Sequence, residues 1–182
     1  MQANKSKIRD MAYIALMVVL IAVCAWITIP GPVPFTLQTF GVFCALELLG
    51  GRRGTIAVAV YLLMGAIGLP VFSGFSGGVG QLLGTTGGYL MGFLLTGLSY
   101  WLVKKLMGDR RGGSVLGLVL GLILCYVFGT AWFMTVYAKN TGAIGLGTAL
   151  GWCVLPFLIP DGVKMALAMV LARILRRHIK LS

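Results

Sequence analysis

An acid and a base, Asp161 and Lys164, stand three residues apart in an apolar segment, 159–172, that is otherwise uncharged. An ionisable group at membrane depth costs about 2.5–3.5 kcal/mol on insertion scales, so it faces a cavity, a partner or a solute pathway. At this spacing the two side chains lie on one face of a helix, close enough to share a ligand or to neutralise each other. Capture of a polar ligand is the chemistry such a pair suits; a bridge tying the helix to itself is the plainer alternative. Pro160, just before the acid, predicts a helix that begins there, because a first turn loses nothing with a missing N–H.

Other candidate groups carry less. Glu47 lies near Arg52 and Arg53, where a local salt bridge or an interfacial position explains it. Cys24, Cys44, Cys125 and Cys153 sit in apolar segments with no Cys-x-x-Cys spacing, so they read as small buried hydrophobes, and neither a metal site nor a disulfide follows. His178 falls in a basic tail and is not a basis for catalysis. No cofactor motif is present, and no phosphate-binding Gly-x4-Gly-Lys-Ser/Thr loop.

The elements that hold the pair are membrane helices. The 182-residue chain is 59% hydrophobic and 10% charged, with mean hydropathy +0.98, outside the range of soluble domains. Its apolar runs are continuous, without the alternation of barrel strands. No cleavage site of the kind a signal peptide needs follows the N-terminal basic residues, so the first span is expected to stay. The expected fold is all-α: a single six-helix membrane domain over 1–182, with spans at about 12–29, 35–49, 55–69, 86–103, 115–136 and 159–172. The second and third fall below the ~20 residues that a bilayer core asks for, which implies that they are sheltered in the bundle.

Lys5, Lys7 and Arg9, then Arg52 and Arg53, then Lys104, Lys105, Arg110 and Arg111, then Arg173, Arg176, Arg177 and Lys180 place thirteen of the fifteen basic residues on one side. That side is cytoplasmic, with both termini, in what is expected to be a multi-pass prokaryotic plasma-membrane protein. The net charge of +11 is this bias, with some attraction to anionic lipid, and gives no reason to expect nucleic-acid binding. Asp161 and Lys164 then lie ~18 and ~14 Å from the cytoplasmic boundary near Arg173, in the outer half of the bilayer.

The two outer loops, 30–34 and 68–84, contain no charged residue. In the second, glycines permit tight turns and Phe72 and Phe75 supply apolar surface that wants cover, which predicts a lid over a cavity mouth. Gly87, Gly88 and Gly92 serve either that site or close helix packing. Gln38, Thr39, Ser73, Ser76, Gln81, Thr85, Thr86 and Tyr89 share the outer half and are candidate contacts for a ligand.

Four ordered motifs resemble one family: Ile29-Pro-Gly-Pro-Val-Pro-Phe-Thr-Leu-Gln-Thr-Phe40, Gly65-Ala-Ile-Gly-Leu-Pro-Val-Phe-Ser-Gly-Phe-Ser-Gly-Gly-Val-Gly80, Gly87-Gly-Tyr-Leu-Met-Gly-Phe93 and Pro156-Phe-Leu-Ile-Pro-Asp-Gly-Val-Lys164. They are similar to the BioY proteins, the biotin-binding S components of energy-coupling-factor (ECF) transporters. The resemblance implies the ECF S-component fold, capture of biotin from outside, and release inside when docked to a transmembrane coupling protein and two cytoplasmic ATPases. It implies that Asp161 and Lys164 contact the ligand, whose ureido ring offers two N–H donors and a carbonyl acceptor. Phe72, Phe75 or Tyr89 are candidates for the apolar walls, and loop backbone N–H groups with the hydroxyls of Ser73, Ser76 or Thr86 for partners of the ligand's carboxylate, since no second basic residue is nearby except Lys139. S components carry small residues four apart on the first helix for docking; here that pair is Ala15 and Val19, and valine is the bulkier departure. The competing readings are a stand-alone secondary carrier for biotin or a related small vitamin, for which no internal repeat is visible, and a membrane enzyme using Asp161 as base. The chain's four acids are too few for the metal-assisted chemistry such enzymes use.

Overall fold

The structure is a computed structural model and describes residues 2–31, 33–108 and 111–178. Of the residues named above, Pro32, Arg110 and Lys180 lie outside the described residues, as do the side chains of Lys5, Arg111, Arg177 and His178. The elements run α1 (Gln2–Trp26), β1 (Thr28–Ile29), β2 (Phe35–Thr36), α2 (Gln38–Ala66), α3 (Val79–Leu83), α4 (Gly87–Met107), α5 (Arg111–Asn140), α6 (Leu146–Cys153) and α7 (Leu155–His178). Among the described residues, Lys7–Trp26, Gly112–Asn140 and Leu146–Arg176 are long and apolar enough to cross a membrane.

The segments 35–49 and 55–69 fall largely within the two arms of α2. The arms turn back on each other at Gly50, whose φ of 80° and ψ of 173° interrupt the helix. A positive φ of this kind is cheap only for glycine. The arms touch along their length: the Gln38 amide donates to the Tyr61 hydroxyl at 2.6 Å, and a Cβ on Gly54 would stand 2.7 Å from the Leu46 Cα. Residues 42–46 of the first arm are buried on every side, which is why a stretch too short to span alone is stable here.

The seam between α4 and α5 is made by glycines. A Cβ on Gly92 would meet the Cys125 Sγ at 2.7 Å, and one on Gly121 the Thr96 Cα at 2.8 Å. Gly88 lies against Trp132 in the same way. Gly88 and Gly92 are thus packing residues, letting two backbones approach where lipid offers no hydrophobic drive.

The ends of the helices differ from expectation in one informative place. The last helix opens at Leu155, not at Pro160, which lies inside it. Phe157 and Leu158 both donate their N–H to the Val154 carbonyl, at 2.9 and 3.2 Å, and Pro156 takes the first-turn place predicted for Pro160. Pro160 cannot donate to the carbonyl four residues back, so the helix carries one missing bond a single residue before Asp161.

At the basic end, Arg53 pairs with Asp10 at 2.9 Å rather than with Glu47. Glu47, buried, accepts from the Tyr100 hydroxyl at 3.1 Å, and the Arg176 guanidinium donates to the Glu47 backbone carbonyl. Lys104 reaches Ser114 at 3.2 Å. These contacts draw the start of α1, the turn of α2, the α4–α5 junction and the end of α7 to one face of the bundle.

Candidate functional site

The opposite end holds a cavity open at its mouth. Its floor is the pair. The Asp161 and Lys164 side chains are only 2% and 6% exposed and meet at 2.7 Å. Three other elements converge on them. Lys164 also donates to the Thr36 carbonyl of β2 at 2.7 Å and stands 4.3 Å from the centre of the Phe35 ring. Thr39, in the first turn of α2, donates to the Asp161 Oδ1 at 2.8 Å, and Tyr126 of α5 donates to Oδ2 at 2.6 Å. Such charge-assisted bonds, made where water is scarce, fix the carboxylate's orientation.

The short ribbon of β1 and β2 explains how an irregular segment supplies a charged group with a backbone acceptor. Thr28 pairs with Thr36 and Ile29 with Phe35. Phe35 in turn stacks on Phe157 of α7 at 5.8 Å, so the ribbon is seated on the helix whose lysine it receives.

The cavity's cover is the stretch between α2 and α4, which is folded into a 3-10 turn at Ser73–Phe75 and the short α3. Phe72 is its anchor: the ring lies edge-on to Tyr61 at 5.5 Å and so close over Gly65 that a Cβ there would fall 2.0 Å from it. Gly78 donates to the Gly65 carbonyl at 2.7 Å, and the Tyr61 hydroxyl donates to the Val71 carbonyl at 2.9 Å. Outside, the Trp26 indole N–H at the end of α1 donates to the Pro70 carbonyl at 2.8 Å, and its ring stacks on Phe75 at 4.9 Å. Across the mouth, Trp132 of α5 donates to the Gly84 carbonyl at 3.0 Å.

Gln38, Thr39, Phe72, Ser73, Gln81, Thr86, Tyr89, Asp161 and Lys164, all singled out in the sequence, line the cavity. Phe75 and Ser76 do not. Phe75 points away, 63% exposed against Trp26, with a φ of 57° that turns it outward, and the Ser76 hydroxyl is spent on the Ser73 carbonyl at 2.7 Å. Thr85 is likewise outside the lining.

Sequence reading missed Tyr126, the Thr36 carbonyl, and the walls Phe93 and Phe157. Tyr126 lies in the long apolar run of α5, where Ser114, Thr130, Thr135 and Tyr137 also carry hydroxyls, so its residue type alone does not single it out. Cys125 and Cys153 also line the cavity as free thiols. Ala15 and Val19 do not line this site. Both are exposed on one face of α1, Val19 to 60%, beside Met11 and Leu16.

Comparison with known proteins returns one answer. Residues 1–181 match the BioY family. The chain is 39% identical over 173 residues to "Biotin transporter BioY" of Thermotoga maritima, covering 93% of this chain and 96% of that protein. It is 37% identical over 171 residues to "Probable biotin transporter BioY" of Pyrococcus horikoshii, covering 91% and 95%. Among solved structures it is similar to the S-component for biotin from an ECF-type ABC transporter, with a TM-score of 0.82 and 33% identity over 96% of this chain and 94% of that one.

Proposed function

We propose that this chain, which belongs to the BioY family, captures biotin from the outer side of a prokaryotic cell membrane as the substrate-binding subunit of an ECF-type transporter. The observation that carries the reading is the unspent hydrogen-bonding capacity at the cavity floor. An ammonium has three donors, and Lys164 uses one on Thr36 and one on Asp161, so a third is left for a carbonyl oxygen. A carboxylate accepts about four bonds, and Asp161 takes three, from Lys164, Thr39 and Tyr126, so one is left for an N–H. Oδ1 already accepts from both Lys164 and Thr39, so the remaining acceptor is on Oδ2 and the remaining donor on Nζ; side by side and held by fixed neighbours, they match an N–H and the carbonyl of a cyclic urea.

Phe72, Phe93, Phe157 and Tyr89 then flank the fused ring and aliphatic tail, and Ser73 and Thr86 meet the tail's end. The binding step needs no chemistry on the ligand. Energy for release comes from partners: a transmembrane coupling protein docked on the exposed face of α1 that carries Ala15 and Val19, and two cytoplasmic ATPases. The alternative, a stand-alone carrier, keeps the same site and dispenses with those partners.

Equilibrium binding of labelled biotin to the purified, detergent-solubilised protein tests the capture step. Saturable binding at one site with Kd below about 1 μM supports it; no binding to well-folded protein overturns it. In proteoliposomes containing this chain alone, biotin counterflow would favour the carrier, and uptake only with ATP and a coupling module would favour the ECF subunit.

A further inference from the structure

We infer that the cavity recognises the head of its ligand and does not read the charge of the tail, so that amides of biotin bind nearly as well as the free acid. The inference rests on the proposed function above and deepens it.

Among the described residues lining the cavity, Asp161 and Lys164 are the charged ones, and they neutralise each other at the floor. An anion entering the cavity therefore finds no net positive charge. The Lys164 ammonium is held at the floor, on the Thr36 carbonyl and over the Phe35 ring, where a tail at the mouth is out of reach. The polar groups supplied by the cover and by the segment leading into α4 are Ser73, Gln81 and Thr86, all neutral. Lys139, the other basic residue on the outer side, is turned elsewhere. It lines a separate groove on the flank of α5 with Leu83, Phe128, Trp132 and Asn140.

A carboxylate taken fully into an apolar cavity without a cation would lose its hydration uncompensated. The tail is therefore held at the mouth, where water and neutral donors satisfy a carboxylate or a carboxamide alike. The amide end of α4, which follows Thr86, favours an anion by a factor on the order of fivefold, and that sets the residual preference. A cation-read carboxylate would instead lose tenfold to a hundredfold on conversion to an amide. The substrate class is thus ureido-headed compounds with an acidic or amidated tail.

Competition against labelled biotin on the purified full chain tests this, with biotin, biotinamide and 2-iminobiotin as competitors. Biotinamide within tenfold of biotin, together with 2-iminobiotin at least a hundredfold weaker, is the expected result. Biotinamide more than tenfold weaker than biotin overturns the inference while leaving the proposed function standing. Lys139→Ala supplies a second arm: unchanged biotin affinity is expected, and a loss of tenfold or more would show that a cation reads the tail after all. Failure of biotin itself to bind the wild-type chain overturns the proposed function, and this inference with it.

Discussion

The basic end of the bundle and the uncharged end use charge in opposite ways. At the basic end charged residues are numerous, and the Arg53–Asp10 pair is partly solvated, with side chains 39% and 27% exposed. At the uncharged end a single ion pair is buried, and all its known partners are fixed by backbone or by hydroxyls from other elements. Exposed pairs contribute about 0–1 kcal/mol, because water screens them and long side chains lose entropy. A buried pair repays its desolvation only if its remaining donors and acceptors are met, and removing one partner costs about 3–5 kcal/mol. The difference teaches where specificity would lie under the proposed function: many charges set orientation, and one charge pair, made expensive by burial, is left to select the ligand.

The comparison can be broken most severely at the cover. Gly65→Val puts side chain where the Phe72 ring sits, and the ring is itself buried, so the cover cannot seat. Biotin affinity should fall by about a hundredfold or more, a loss of about 3 kcal/mol of the kind overpacking brings, with a lower melting temperature in a detergent-based thermal assay. Tyr126→Phe is sharper. It removes one charge-assisted bond to the Asp161 carboxylate and leaves the packing intact, so binding should weaken by roughly tenfold to a hundredfold by equilibrium titration. Trp26→Phe keeps the stack on Phe75 and loses the bond to Pro70. The ligand's dissociation rate should rise by about fivefold, the worth of about 1 kcal/mol, in a chase experiment. Arg53→Ala, at the basic end, should leave biotin affinity within about twofold, since an exposed pair is worth little and is far from the site.

Much of the fold was legible because membrane solvent makes simple demands. Continuous apolar runs separated by basic loops gave the long helices, and the cost of an intramembrane charge pointed to Asp161 and Lys164. The local turns were less legible. Gly50 reverses α2, but Gly50-Gly51 resembles the other glycine pairs in the chain until its φ is known. The choice between Phe72 and Phe75 as the inward ring depends on left-handed backbone at Gly74 and Phe75, which composition does not encode. Pro156 and Pro160 both suit a helix start, and only the neighbouring contacts of Val154 decide between them. Tyr126 was hidden because its identity as a wall residue or as a carboxylate partner depends on the rotation of α5 against α7.

Binding of labelled biotin to Asp161→Asn and Lys164→Met variants, beside the wild type, tests the central claim most directly. Each variant leaves its former partner buried without its counter-charge. The account predicts that both variants lose biotin affinity by at least a hundredfold while remaining monodisperse and helical. Wild-type affinity in either folded variant would contradict it, and would return the pair to the role of a structural bridge within the last helix.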